Sequence, residues 1–302
     1  MTTAQKNRCN SISRGWNAAF VAILALACLT VLLPVALVVI VSLSSAESIA
    51  NIGYSFFPQG WSLTAYRALL ATGTQIGNSY KVTIAHTCLG TFLSLMVMSL
   101  YAYVLAQPGF PCHKFYTMIL FFTMLFSGGL VPSYLMWTQS FHIRNTIFAL
   151  LIPNLLMSAF NVIMMRTYFS ANIPDAVIEA ARVDGANEFK ILFGIVLPMA
   201  LPIIATIGLL VGLAYWNDWM NGLYYLNDDR MYSIQVLLMN IQRNLDSLRQ
   251  QAQSGGNINT ADLPSTSVRM ALTVMGVLPI MIIYPFLQKY FVKGIAIGAL
   301  KG

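Results

Sequence analysis

The densest group of charged side chains in this 302-residue sequence lies within residues 166–196. This stretch holds four of the ten acidic residues of the chain, namely Asp175, Glu179, Asp184 and Glu188. Three basic residues accompany them, and long apolar segments lie on both sides. Because charged side chains on short helices can make polar contacts with another protein, we interpret this stretch as a docking surface. The alternative is a loop that is merely solvated.

The local sequence of this stretch predicts two short helices joined by a sharp turn. Pro174 and Asp175 suit a first helical turn, where the missing N–H of proline costs nothing and a carboxylate meets the positive end of the helix dipole. Gly185 is placed to end this helix with a left-handed residue. Asn187 can cap a second helix, which is predicted from Glu188 to residue 196.

A second group of polar residues lies within apolar segments, where hydrogen-bonding groups are costly and often functional. Asn154 and Asn161 interrupt one such segment, and Trp216, Asn217 and Asp218 interrupt the next. Amide groups and aromatic faces suit a hydroxyl-rich solute, so these five residues are candidates for a substrate path. The alternatives are hydrogen bonds between helices for the asparagines and an aromatic belt at the membrane surface for the tryptophan. Asp218 is expected to lie close enough to the outer face to stay in contact with water.

Other kinds of chemistry find little support in the sequence. Short motifs typical of zinc proteases, serine hydrolases, nucleotide phosphate loops and dinucleotide-binding folds are missing, so an enzyme is not expected. The cysteines Cys9, Cys28, Cys88 and Cys112 form neither a close pair nor a cluster, which supports no disulfide framework and no metal site. We expect no cofactor bound by this chain.

The elements that must position these residues follow from the composition. Apolar and aromatic residues make up 57 % of the chain, and Asp, Glu, Lys and Arg only 9 %. A soluble domain normally has about 25 % charged residues. The sequence therefore predicts an all-α protein that crosses a membrane several times. The net charge of +7 is then explained by basic residues beside membrane helices, and nucleic-acid binding is not expected.

Six apolar segments are long enough to cross a bilayer core of about 30 Å. They span about residues 16–41, 82–106, 115–137, 146–165, 197–223 and 270–287. Ser127, Gly128, Gly129 and Pro132 are expected to loosen the third segment locally. Outside the segments, a helix is predicted from Ser233 to Gln250 and a flexible turn at residues 254–257.

The distribution of basic residues predicts the orientation. Lys6, Arg8 and Arg14 precede the first apolar segment, whereas Glu47 follows it. Basic residues favour the cytoplasmic side, so both termini and residues 166–196 are predicted to be cytoplasmic, in a cell membrane (plasma or inner membrane). The predicted parts are listed in order: a cytoplasmic N-terminus 1–15, a first transmembrane helix 16–42, an outer loop 43–77, a core domain 78–291 containing the loop 166–196, and a cytoplasmic tail 292–302.

The charged loop also carries a family signature. Residues Glu179 to Gly185 read EAARVDG, and nine residues later Ile195 to Pro198 read IVLP. This pattern resembles the EAA signature of type I ABC-importer permeases, with every signature position filled at the family spacing. The resemblance extends from about Asn78 to the C-terminus. The ending from Gln288 to Gly302 is similar to the carbohydrate-uptake branch, in particular to permeases for complex oligosaccharides and polysaccharide fragments.

The resemblance implies a mechanism and partners. The helix after EAA would enter a cleft on a cytoplasmic ABC ATPase dimer, whose closure on ATP would switch the permease between inward-open and outward-open states. Glu179 would make a polar contact at the rim, the two alanines would allow close approach, and Gly185 would make the turn, while Arg182 and Asp184 would be rim charges. The coupling residues implied are Glu179, Ala180, Ala181, Arg182, Asp184, Gly185, Ile195, Leu197 and Pro198.

Further partners implied are a second, related permease subunit and a solute-binding protein, either an extracellular lipoprotein or a periplasmic protein. The chain would be the membrane-embedded subunit of an importer, and ATP would be bound by the ATPase alone. The expected cargo is a sugar or oligosaccharide. Alternatives are a permease for peptides, amino acids or polyamines, or a secondary transporter. A secondary transporter would predict inverted repeats and a coupling carboxylate near the midplane, and neither is seen in the sequence.

Overall fold

A computed structural model describes residues 14–71, 73–253 and 266–299 of the chain. Within these ranges the secondary structure is helical, with turns and an isolated bridge between Ser44 and Trp61. The helices, numbered in chain order, are α1 Arg14–Ser42, α2 Ala46–Ile52, α3 Thr64–Ala71, α4 Gly73–Ala106, α5 His113–Leu125, α6 Leu130–Leu135, α7 Phe148–Leu151, α8 Ala159–Asn172, α9 Asp175–Val183, α10 Glu188–Ile191, α11 Leu197–Met199, α12 Leu201–Trp216, α13 Met220–Tyr225, α14 Ile234–Gln253 and α15 Thr266–Ala299. Short π-helical turns follow α6 and α10, and a 3₁₀ turn precedes α14.

Three of the described helices, α1, α4 and α15, are each long and apolar enough to cross a membrane. Two bent pairs pass the same criterion together. The third predicted segment bends by 114° between α5 and the α6 region, and the fifth bends by 85° between α11 and α12. The first bend lies at the predicted glycines, where Gly129 has φ +81°. The loosening expected there is confirmed.

The fourth predicted segment, 146–165, is not one helix. It consists of the single turn of α7, a break at residues 152–158, and α8. Pro153 cannot donate a backbone hydrogen bond, and Asn154 adopts a left-handed conformation with φ +60°. Neither residue continues a helix, because proline lacks the N–H and a left-handed residue leaves the helical backbone conformation. The prediction of one continuous span was therefore wrong here.

Two other predictions concern the last part of the chain. The helix expected from Ser233 to Gln250 is confirmed by α14. The flexible turn expected at residues 254–257 lies outside the described residues, as does Cys9. Helix α15 begins four residues before the predicted sixth segment and continues to Ala299, through most of the predicted tail.

The chain divides into two compact units. The described part of the first unit comprises residues 14–71, 248–253 and 266–275. Its loop after α1 folds back on itself through a hydrogen bond from the Ser45 N–H to the Gly60 carbonyl, at 2.9 Å. The Ser267 hydroxyl donates to the Ser44 carbonyl at 2.8 Å. Helix α1 exposes large apolar side chains along its length, including Trp16 at 66 %.

The second unit is built around α4, which packs against α8 and α12. Its main core joins these three helices to the loop that contains α9 and α10. Met98 on α4, Met165 on α8 and Ile207 on α12 are each completely buried. The charged loop is therefore anchored on the same core as α4, α8 and α12.

A close helix approach in this unit depends on Gly90. A Cβ atom at Gly90 would lie 2.5 Å from the ring of Tyr215 on α12. Tyr215 is completely buried, so its ring has no free space into which it could move. Gly90 is therefore the residue that lets α4 and α12 approach each other at this level.

Replacing Gly90 with alanine should destabilise the protein. Glycine to alanine within a helix normally stabilises it by up to about 1 kcal/mol, but the clash with Tyr215 should cost about 1–3 kcal/mol. Thermal unfolding of the purified protein in detergent checks this expectation. Gly77→Ala on the same helix is the control, because a Cβ there meets no atom within 4 Å. An unfolding temperature equal to that of the control would contradict the close approach.

Candidate functional site

The charged loop has the local structure that its sequence predicts. Helix α9 ends at Val183, and Gly185 follows in the left-handed region with φ +78°. The Gly185 N–H donates to the Arg182 carbonyl and the Ala186 N–H to the Ala181 carbonyl, both at 3.0 Å, which is a Schellman turn. The Asn187 side chain accepts from the Lys190 N–H at 2.8 Å and caps α10. The predicted helix–turn–helix is confirmed.

Helix α9 has one face on the core and one open face. Ile178 and Ala181 are buried in the main core of the second unit. Glu179 and Ala180 are exposed, and Val183 is 88 % exposed. Glu179, Ala180 and Val183 thus lie together on the open face of α9.

The buried position of Ala181 changes one expectation. Only Ala180 of the two signature alanines lies on the open face, because Ala181 packs inside its own subunit. At the end of the signature, Ile195 and Leu197 are half-buried against the same core, while Pro198 is exposed. Asp184 is exposed beside the turn.

Arg182 makes contacts within its own chain, through a group that we call the Arg182 network and that comprises Tyr103, Gln107, Arg182 and Glu188. The Arg182 Nε donates to Glu188 Oε1 and its Nη2 to Gln107 Oε1, both at 2.9 Å. The Tyr103 hydroxyl donates to Glu188 Oε2. The hydrogen bond from Arg182, followed by the one from Tyr103, holds the pKa of Glu188 below its usual range.

A cavity of about 540 Å³ borders the Arg182 network. All four members of the network line it. The rest of its wall is mainly apolar and includes Leu100, Phe110 and Phe189. The polar side chains of the network and these apolar side chains therefore line the same cavity.

The five predicted substrate-path residues occupy different environments. Asn154 is exposed in the break between α7 and α8, and Asn217 is exposed at the end of α12. Asn161 is buried on α8, and Trp216 is buried with its indole N–H 3.3 Å from the Gly276 carbonyl. Asp218 is only 9 % exposed, so the expected contact with water was wrong. Two of the five residues are therefore accessible in this conformation.

Three side chains that the sequence did not single out for this role hold the broken segment together. The Tyr215 hydroxyl donates to the Leu151 carbonyl at 2.7 Å, and the Asn221 amide to the Pro153 carbonyl at 2.9 Å. The Ser94 hydroxyl lies 3.3 Å from the Leu155 carbonyl. A break in a helix leaves carbonyl groups without their intrahelical donors, and these side chains supply the missing donors.

The sequence of α4 contains a pattern of small and polar residues that could have indicated part of this arrangement. Ser79, Thr83, His86, Gly90 and Ser94 recur every three or four residues, which puts them on one face of a helix. The four with side chains are all completely buried. The Thr83 hydroxyl accepts from the Ile234 N–H at 2.8 Å, and each ring nitrogen of His86 lies 3.0 Å from a carbonyl oxygen. Through Thr83, His86 and Ser94 this face contacts backbone groups of neighbouring elements, whereas the Ser79 hydroxyl has no hydrogen-bond partner among the described residues.

The comparisons with known proteins agree with this arrangement of helices and loop. The profile of the family described as "Binding-protein-dependent transport system inner membrane component" matches residues 82–297. The chain belongs to this family. The matched range includes α8 to α14 and therefore the whole charged loop.

Individual relatives extend the similarity beyond the family range. The permease is 35 % identical to "Polygalacturonan/rhamnogalacturonan transport system permease protein YtcP" of Bacillus subtilis (strain 168), over 94 % of this chain and 96 % of that one. It is 32 % identical to "Protein LplC" of the same organism, over 90 % of each chain. Among solved structures it resembles one titled "Crystal structure of a bacterial ABC transporter involved in the import of the acidic polysaccharide alginate", with a TM-score of 0.78, 30 % identity, and coverage of 93 % of this chain and 99 % of that one.

Removing the hydroxyl of Tyr215 should destabilise the permease. In Tyr215→Phe the Leu151 carbonyl loses its side-chain donor, which should lower the free energy of unfolding by about 1–3 kcal/mol. Thermal unfolding in detergent measures the change. Tyr224→Phe is the matched control, because Tyr224 is half-exposed and lies on α13. Equal unfolding temperatures for the two variants would contradict a role of Tyr215 in holding the break.

Proposed function

We propose that this permease is the membrane subunit of an ATP-driven importer for oligosaccharides or polysaccharide fragments. The observation that carries the proposal is the open face of α9, with Glu179, Ala180 and Val183 directed away from the subunit's own core. A six-segment membrane protein needs no such face for its own folding. The membrane protein does need such an open face if a soluble subunit has to bind it and move it.

The proposed partner at this face is a cytoplasmic ABC ATPase, present as a dimer. Val183 would enter an apolar cleft on the ATPase, Glu179 would meet a polar group at its rim, and Ala180 would let the two backbones approach. Gly185 fixes the angle between α9 and α10, because a φ of +78° is costly for other residues. ATP would be bound and hydrolysed by the partner, with no cofactor on this chain.

The proposed topology has six crossings with both termini in the cytoplasm. The bent α5–α6 and α11–α12 pairs would each count as one crossing, and α7, the break and α8 together as another. Support comes from the three basic residues Lys6, Arg8 and Arg14 at the start of the chain, with Glu47 after the first apolar segment. This orientation would bring α9 to the side of the membrane on which ATP is available.

The transport pathway is proposed to lie between this subunit and a related second permease subunit, with a solute-binding protein delivering the cargo from outside. Asn154 and Asn217 are the candidates for solute contact, because they are the exposed members of the predicted path. Support for a carbohydrate cargo comes from relatives named for polygalacturonan, rhamnogalacturonan, melibiose, raffinose and stachyose, and from the alginate importer. Amides at an irregular backbone segment also suit a ligand rich in hydroxyl groups.

The cargo can be tested by deleting the gene for this permease and measuring uptake of radiolabelled sugars, peptides, amino acids and polyamines. We expect uptake of one class of oligosaccharide to be lost and the other classes to be unaffected. Restoring the gene should restore that uptake. Loss of peptide, amino-acid or polyamine uptake with every sugar taken up normally would contradict the carbohydrate assignment and leave the importer assignment intact.

The docking assignment can be tested at Gly185. Gly185→Val should reduce ATPase association and uptake, because a β-branched residue at positive φ costs at least about 1–2 kcal/mol and would reshape the turn. A Cβ there meets no atom of this chain within 4 Å, so the folded permease should remain in the membrane. Gly185→Asn is the matched control, since asparagine tolerates the left-handed region. Normal co-purification of the ATPase with the valine variant would contradict the docking assignment.

A further inference from the structure

We infer that the Arg182 network is the linkage through which movement of the docking loop reaches α4. This inference rests on the proposed function, because it assumes that an ATPase moves α9. It assigns a role to Tyr103 and Gln107, which lie outside the EAA signature. It also gives Arg182 and Glu188 a task inside this subunit.

The network joins three separate pieces of backbone. Arg182 lies in the last turn of α9, and Glu188 begins α10, on the other side of the Gly185 turn. Tyr103 lies in the last turn of α4, and Gln107 follows the end of that helix. The guanidinium group binds Glu188 and Gln107 at once, and the Glu188 carboxylate binds Arg182 and Tyr103 at once. A shift of α9 relative to α4 must therefore break these bonds or carry the end of α4 with it.

The position of the network favours a role in passing movement from α9 to α4 over a role in only attaching the loop to the core. The apolar anchor of the loop, formed by Ile178, Ala181 and Ile191, already lies in the main core. The network extends from that core, to which the buried Tyr103 belongs, to the surface, where the side chains of Arg182 and Glu188 are 43 % and 55 % exposed. An exposed ion pair contributes little to the stability of an isolated subunit. A docked partner that covers this surface would exclude water and strengthen the same pair.

Movement of α4 would reach the interior of the membrane. Tyr103 and Ser94 lie on the same helix, about 14 Å apart along its axis at 1.5 Å per residue. Ser94 contacts the Leu155 carbonyl in the break and the hydroxyl of Tyr215. A straight route of packed and hydrogen-bonded groups thus runs from Glu188 through α4 to the irregular segment that contains Asn154.

The test compares transport per ATP hydrolysed in the complete transporter, reconstituted in vesicles with its ATPase, second permease subunit, binding protein and a transported sugar. In Tyr103→Phe we expect the ATPase to remain bound and ATP hydrolysis to continue. Uptake per ATP should fall by at least about tenfold, the factor at the lower end of the range for one hydrogen bond to a charged group. Tyr101→Phe, on the same helix but outside the network, should leave the ratio unchanged.

Charge reversal provides an independent variant. Arg182→Glu and Glu188→Arg should each lower uptake per ATP, and the double variant should recover much of it, because the ion pair is restored in the opposite sense. A purely stabilising role would instead change the amount of folded subunit and leave the ratio of uptake to ATP hydrolysis as in the unmodified protein.

The outcomes separate this inference from the proposed function. If the unmodified permease neither binds an ATPase nor transports a sugar, the proposed function is wrong, and this inference falls with it. If the unmodified transporter works and Tyr103→Phe retains its full uptake per ATP, only the linkage is wrong. Failure of the double reversal to improve on both single reversals would also overturn the linkage.

Discussion

A peptide carbonyl that leaves a helix and is buried away from water must accept its hydrogen bond from elsewhere in the protein. The break between α7 and α8 frees such groups, and the carbonyls of Leu151, Pro153 and Leu155 are served by side chains of α12, α13 and α4. These three elements must therefore meet at the break. The complete burial of Tyr215 and the glycine at position 90 are consequences of that requirement.

The same region contains a buried carboxylate. Asp218 follows the end of α12, and its Oδ1 accepts from the Asn221 N–H at 3.2 Å. Its Oδ2 has no hydrogen-bond partner among the described residues. The Ser233 hydroxyl binds the Asp218 carbonyl and lies 3.4 Å from the Val236 N–H at the start of α14. The turn after α12 thus contacts the break through Asn221 and the start of α14 through Ser233, and the Ile234 N–H of α14 in turn donates to Thr83 of α4.

The charged loop is held by other interactions than the break. Its shape depends on local effects, namely the cap at Asn187 and the positive φ of Gly185. Its attachment depends on Ile178 and Ala181, which pack into the core, while Val183 faces away from it. The loop therefore has a locally fixed turn, an apolar attachment to the core, and an open face that carries both Glu179 and Val183.

The sequence alone determined the membrane class, the position of the charged loop and its two helices, because these depend on composition, on the caps of α9 and α10, and on glycine. It also determined the family, through residues within one stretch of twenty. Tertiary structure decided which polar groups are buried and what they bind. Pro153 and Asn154 interrupt a segment that hydropathy predicts as one span, and Tyr215 and Asn221 donate to the break from more than sixty residues away. Those pairings depend on how the helices pack against one another, and the order of residues along the chain does not by itself reveal that packing.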